Sequence, residues 1–304
     1  MATKVGNYAV YLLVRWVFAA VQILPLERCD RYCHLLAKLL AHVIPVRRRL
    51  IDENLRLVFP TWTQSQIDQT REATWHHLLL MACEIAHAPR KIHRTNWREH
   101  FRVLNAREMV SHMLDERPTI LVTGHYGNFE LTGFITGVFG LPTSTIVRPL
   151  DNPYLHQYFE DFRSLNGQYM IDKQGSSNEI QELLDRGGIL TLLADQYGGP
   201  KGCWAKFLGH PASCHKALAL FTLTSKAPML VVYNRRLSKP LTFEMGHIAT
   251  ADPEVPGDHL SGVQALTQWY NDNLAIPILK WPDQYWWVHR RWRGEPPARR
   301  RKEA

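Results

Sequence analysis

The segment Thr123-Gly124-His125-Tyr126-Gly127-Asn128-Phe129-Glu130-Leu131 sets a histidine and a carboxylate five positions apart, just past a short apolar run. Histidine is the natural general base near neutral pH. A carboxylate on its other ring nitrogen fixes the tautomer and stabilises the imidazolium. On one regular helix the two side chains would point about 140° apart. They meet only if His125 sits in a turn and Glu130 in the first turns of the helix that follows, and Gly124 and Gly127 permit that turn. No G-x-S-x-G pattern supplies an enzyme nucleophile. The base would then activate a hydroxyl of the substrate, which describes direct acyl transfer without a covalent acyl-enzyme. H-x4-E alone is a weak signal in a chain with 15 histidines, and a histidine near a strand is more often structural. The strand–Gly–His–x–Gly–x–x–Glu–helix setting strengthens it, because it places the pair at a strand's carboxyl end. No metal is expected: H-E-x-x-H is missing, and the adjacent His76 and His77 point apart on a helix.

Such a pair needs a scaffold. Thr119–Thr123 reads as a buried strand, Asn128–Phe139 as a helix and Thr143–Val147 as a second strand. Pro153–Leu165 reads as a helix with Tyr154, Tyr158 and Phe162 at i, i+4 and i+8, a stripe suited to a core or a bilayer. Further on come a helix at Ser177–Arg186, a strand at Gly188–Ala194, a helix at Ser213–Lys226, a strand at Met229–Asn234, a strand at Leu241–His247 and a long helix at Leu260–Ile276. Upstream, residues 31–42 and 106–116 read as helices, and a capping box at Thr63-Gln64-Ser65-Gln66 opens a long helix to Ala88. This alternation implies an α/β fold: a largely parallel central sheet flanked by helices, behind a helical N-terminal segment.

The same motif carries a family resemblance. TGHYGNFEL (123–131) resembles the signature of the bacterial lipid A biosynthesis acyltransferases, the late lauroyl/myristoyl transferases. Asn54-Leu55-Arg56-Leu57-Val58-Phe59-Pro60 resembles the family's early N-L…F-P segment, and Arg148-Pro149-Leu150-Asp151-Asn152-Pro153 its R-P-x-D-N-P block. The stretch from Gly188 to Asp195-Gln196 and the closing segment Pro282–Trp292 follow in the family's order. The resemblance implies transfer of a fatty acyl chain from an acyl carrier protein, or sometimes coenzyme A, to a hydroxyl of a glycolipid. It makes His125 and Glu130 the catalytic pair and Arg148 the arginine of the second motif. It implies substrate binding by Arg148, Asn128, Asp195 and Gln196, and no cofactor beyond the acyl donor. Arg148 follows the second expected strand, beside the active-site end of the first. There its guanidinium would bind a lipid phosphate or the thioester oxyanion. An ordinary ion pair with Asp151 is the plain alternative, and a simple turn is the alternative at Asp195-Gln196.

The chain has 304 residues, 45% apolar and 21% charged, which excludes disordered and collagen-like classes. Its net charge of +8 points to anionic partners: an acidic carrier protein and an anionic membrane surface. Nucleic-acid signatures are missing, so no nucleic acid is expected. Five scattered cysteines, none in C-x-x-C, fit a reduced cytoplasmic setting. Tyr8–Pro25 is interrupted only by Arg15 and Gln22 and falls just short of the roughly 20 apolar residues of a full span. It reads as a marginal transmembrane or a deep interfacial helix. Lys4 alone precedes it, while Arg28, Arg31, Lys38 and Arg47-Arg48-Arg49 follow, which keeps the body on the cytoplasmic face of the inner membrane. The division expected is a membrane-associated helix over 1–28, an acyltransferase domain over 29–293 and a basic tail over 294–304. The tail run Arg299–Lys302 and the Trp281, Trp286, Trp287, Trp292 cluster with Arg290, Arg291 and Arg293 would face lipid. Other readings remain: an acyl-CoA-dependent enzyme acting on another glycolipid, such as a phosphatidylinositol mannoside, a non-catalytic lipid-binding protein of the same fold, or, as a minor third, a lipid hydrolase with water as acceptor.

Overall fold

Short, β-branched apolar runs and the helices between them build the body of the chain. The structure is a computed structural model and describes residues 2–296 other than 45, 166, 174 and 176, so the basic run at 299–302 lies outside the described residues. Four helices come first: α1 (Ala2–Ile23), α2 (Leu26–Lys38), α3 (Arg48–Val58) and α4 (Gln64–Lys91). The expected capping box opens α4, with Thr63 N–H donating to Gln66 Oε1 at 2.8 Å and Gln66 N–H donating back to Thr63. A short α5 (Trp97–His100), β1 (Phe101–Leu104) and α6 (Ala106–Met113) lead into the alternating part. That part runs β2 (Thr119–Thr123), α7 (Glu130–Val138), β3 (Thr143–Val147), α8 (Pro153–Ser164), β4 (Gln168–Asp172), α9 (Ser177–Asp185) and β5 (Ile189–Leu193). It closes with β6 (Cys203–Phe207), β7 (His210–Cys214), α10 (Ala217–Ser225), β8 (Met229–Arg236), β9 (Phe243–Ala251) and α11 (Val263–Lys280).

The main sheet has seven strands in the order β1-β9-β8-β2-β5-β3-β4. β8, β2, β5, β3 and β4 are mutually parallel, β9 runs against β8, and β1 follows β9. A parallel sheet needs both faces covered. Successive side chains of β2 accordingly enter different cores. Ile120 and Val122 pack with α9, α10 and α11, while Leu121 packs with α6 and α7. β2 is buried along its whole length.

The expected helix at Ser213–Lys226 begins only at Ala217. Ser213 and Cys214 belong instead to an antiparallel hairpin of β6 and β7, in register Cys203↔Cys214. Leu208 and Gly209 turn it, both at positive φ as a two-residue hairpin turn requires. The helix α3 and the strands β1 and β4 were not apparent in the apolar pattern.

α1 keeps one stripe on the body and turns the rest outward. Phe18 and Tyr11 meet Tyr158, Tyr8 meets Tyr154, and the Arg15 guanidinium lies 5.1 Å from the Tyr158 ring centre. Its far end is tied to α4 where Gln22 Nε2 donates to the Ala86 carbonyl at 2.7 Å. The aromatic stripe of α8 is thus the seat of α1, with Phe162 turned inward onto Phe134. Thr3–Ile23 is long and apolar enough to cross a membrane, and Val5, Leu12, Leu13, Trp16 and Val17 are exposed along it.

Candidate active site

Register brings His125 and Asp195 together. β2 and β5 pair in parallel with Thr123 opposite Leu193, and Ala194 N–H continues the ladder to the Thr123 carbonyl at 2.8 Å. Two residues further, His125 and Asp195 leave adjacent strands side by side. Asp195 Oδ2 accepts the His125 backbone N–H at 2.9 Å, and Oδ1 lies 2.8 Å from the ring Nδ1. A Cβ on Gly124 would stand 3.2 Å from Asp195 Cγ, so the glycine leaves room for this approach. A carboxylate at Nδ1 demands the proton there, which leaves the lone pair on Nε2. Gln196 donates its side-chain amide to that lone pair at 2.9 Å. Burial alone would raise the Asp195 pKa, but the His125 charge and the hydrogen bonds from His125 outweigh it and hold the carboxyl below its ordinary value.

The loop around His125 is held from several sides. Phe129 stands 4.8 Å from the imidazole, centre to centre, and Trp286 5.9 Å. Trp286 N–H also donates to the His125 carbonyl at 3.0 Å. Gly127 has φ +56°, and a Cβ there would lie 1.6 Å from the Asn234 carbonyl oxygen, so only glycine fits. The closing segment, expected at a lipid interface, thus supports the site. Trp287 and Arg291 are fully buried, and Arg291 Nη1 donates to the Ser213 carbonyl at 2.6 Å. Asn54 of the early motif pins this segment by donating to the Trp287 and His289 carbonyls. Arg290 and Arg293 remain exposed.

Three expectations change at this point. Glu130 does not meet the His125 ring; it accepts a bidentate pair from Arg163 of α8 at 2.8 and 3.0 Å. Both ring nitrogens of His125 already have other partners, and the orienting carboxylate is Asp195. Asn128 is turned into the protein: fully buried, it donates to Glu84 at 3.0 Å and its carbonyl accepts from Asn234 at 2.9 Å. Arg148 does not stand beside the strand of His125, because β5 separates β2 from β3. Its side chain is 83% exposed, with Asp151 at 3.9 Å. Asp195 and Gln196 both reach His125. The residues missed by sequence reasoning are Arg163, Glu84, Arg236 and His77, which carry no local motif; Gln284 was visible only within the closing segment.

An apolar cavity of about 520 Å³ lies between α5, α6 and the end of α7, lined by Trp97, Met109 and Val138 among others. It contains none of the candidate site residues. Among the described residues, Asp30, His34 and His76 bring possible metal ligand atoms within 4.8 Å of one another, but the His34 and His76 rings are stacked flat at 3.6 Å.

The family model for bacterial lipid A biosynthesis acyltransferases matches residues 2–294, nearly the entire chain. The chain belongs to that family. It is an acyltransferase with an α/β fold built on a mostly parallel sheet. No curated protein matches the sequence. Among solved structures, the 1-acyl-sn-glycerophosphate (LPA) acyltransferase PlsC from Thermotoga maritima is similar at 12% identity over 89% of this acyltransferase and 100% of that chain, with a TM-score of 0.39. That likeness is too remote to bear on the site.

Proposed function

We propose that this acyltransferase moves a fatty acyl chain from an acyl carrier protein thioester to a hydroxyl of a lipid A precursor, with His125 as general base. The observation that carries this reading is the place of the His125 ring between Asp195 Oδ1, 2.8 Å from Nδ1, and the Gln196 amide, 2.9 Å from Nε2; with the proton on Nδ1 toward the carboxylate, the lone pair stands on Nε2. The acceptor hydroxyl takes the place of the Gln196 amide at Nε2. As its oxygen attacks the thioester carbonyl, its proton passes to Nε2, and Asp195 stabilises the imidazolium. When the tetrahedral intermediate collapses, the C–S bond breaks and Nε2 returns the proton to the departing sulfur. No side chain is acylated. No cofactor enters, since both bonds exchanged belong to the two substrates. Arg148, extended into solvent at the carboxyl edge of the sheet, is suited to an anionic head group rather than to the reacting carbonyl.

The outward apolar face of α1 supports membrane association, and the basic residues after it favour the cytoplasmic face of the inner membrane. The net charge of +8 suits both an acidic carrier protein and an anionic lipid surface.

The test uses the detergent-solubilised protein, a mixed-length acyl carrier protein pool and a tetra-acylated lipid A precursor, read by product mass. The expected product gains one acyl chain, and His125→Ala slows its formation by about 10²–10⁴-fold while remaining folded. Wild-type turnover in His125→Ala would overturn the mechanism. Transfer only from acyl-CoA would overturn the donor assignment alone.

A further inference from the structure

We infer that Glu84, Arg236 and His77 are positioning residues: a buried brace that holds the loop after His125 and so sets the rate of the acyl-transfer step. This inference rests on His125 acting as the base.

Glu84 lies on α4 and Arg236 ends β8, 152 residues apart in the chain. They meet fork to fork, with Arg236 Nε and Nη2 each 2.6 Å from a Glu84 oxygen. The same carboxylate accepts Leu241 N–H at 3.0 Å and the Asn128 side-chain amide at 3.0 Å. His77 sits two turns before Glu84 on the same face of α4. Its Nδ1 accepts from Arg236 Nη1 at 2.7 Å, which leaves Nε2–H to donate to the Gly127 carbonyl at 3.2 Å. Burial, reinforced by the Arg236 charge, holds the His77 pKa well below its ordinary value, so this tautomer persists at neutral pH.

The result is a grip from four sides on the two residues that follow the loop's tyrosine. Gly127 N–H donates to the Gln284 carbonyl at 2.9 Å, and the Gly127 carbonyl accepts from His77. The Asn128 amide reaches Glu84, and the Asn128 carbonyl accepts from Asn234. Gln284 in turn clasps the Arg236 backbone on both sides, at 2.8 and 2.9 Å. Glu84 is 0% and His77 3% exposed, so neither touches substrate.

A buried ion pair is a poor device for stability alone, because apolar side chains of similar volume often serve as well or better. Here it ends on the backbone beside the base, where a displacement of about 1 Å costs on the order of 10²-fold in rate. The network therefore earns its place through geometry.

Three variants separate positioning from mere folding: Glu84→Met with Arg236→Met, which removes both ions together, His77→Phe, which removes the Gly127 bond, and His77→Gln, which can restore it. For each, kcat, both KM values, the melting temperature and the downfield proton resonance of the His125–Asp195 hydrogen bond are measured, the resonance being identified by its loss in His125→Ala. The expected result for the double variant and for His77→Phe is a kcat about 10- to 100-fold lower. Both KM values hold, and the resonance shifts or broadens. His77→Gln recovers most of the rate. Unchanged kcat in a folded double variant would overturn the brace. So would a loss of rate in step with melting temperature alone, with the resonance unmoved. If the double variant does not fold, the two His77 variants decide. If wild type transfers no acyl chain, the functional reading fails, and the resonance still tests whether the brace positions His125.

Discussion

His125 Nε2, the base in the proposed mechanism, meets the Gln196 amide, and the opposite nitrogen is committed to Asp195. These two contacts carry separate consequences. In Asp195→Asn the new amide can present N–H to Nδ1 and favour the wrong tautomer, a change that costs about 10⁴-fold in kcat in the serine-protease triad. A loss of 10²- to 10⁴-fold is expected here, with KM for both substrates nearly unchanged, in steady-state transfer assays. On the proposed mechanism Gln196→Ala leaves Nε2 uncovered before the acceptor arrives, so release of free fatty acid from the donor without acceptor should rise several-fold. Equal hydrolysis by Gln196→Ala and wild type would deny that covering role. His125 was readable because glycines and a strand end marked it. Its carboxylate partner was misassigned to Glu130, since spacing along the chain selects the nearest acid. Asp195 lies 70 residues on, and only the parallel register of β2 with β5 brings it to the ring.

Elements with a strong internal period were legible: β2, β3, α8 and the capped α4 begin within a residue of their expected starts. The hairpin of β6 and β7 was not, because its residues do not alternate cleanly and its turn places Leu208 at positive φ. The two-sided character of α1 was also hidden. A window of mean hydropathy does not show that Tyr8, Tyr11 and Phe18 pair with the aromatic stripe of α8 while Leu13 and Trp16 face outward. That division predicts different outcomes for substitutions on its two sides. Leu13→Glu with Trp16→Glu should abolish retention on vesicles containing anionic lipid, since a charge in the hydrocarbon costs about 2.5–3.5 kcal/mol. Thioester cleavage with a detergent-dispersed acceptor should persist. Tyr158→Ala opens the seam between α1 and α8 and should lower the melting temperature without releasing the protein from vesicles. Co-sedimentation and thermal melts distinguish the two, and equal vesicle binding by the Glu double variant and wild type would remove α1 as the anchor.

At the scale of the whole molecule, buried histidines govern the response to acid. Burial is the leading cause of a lowered pKa at His76, His77, His87, His215, His247 and His289. In the unfolded chain each titrates near about 6.5. Below that pH the unfolded state binds protons that the folded state refuses, so stability is full above about pH 6.5 and falls as the solution is acidified. Fully buried His77 alone contributes a slope that grows toward a limit of about 1.4 kcal/mol per pH unit as the pH falls through this window. Asp195 and Asp252, held below the ordinary carboxylate value, add a second loss only below about pH 4, where the unfolded carboxylates take up protons first. Asp283 opposes both, because burial raises its pKa and it gains stability when protonated. Urea denaturation at pH 7.5, 6 and 5 should therefore show the midpoint falling steadily between pH 6.5 and 5, before any carboxylate of ordinary pKa titrates. His77→Gln, whose amide can offer an acceptor to Arg236 and a donor to Gly127 but cannot protonate, should flatten that fall by up to roughly one proton's worth of slope. A midpoint constant from pH 7.5 to 5, or an unchanged slope in His77→Gln, would place the acid sensitivity elsewhere than in the buried imidazoles, His77 behind the His125 loop among them.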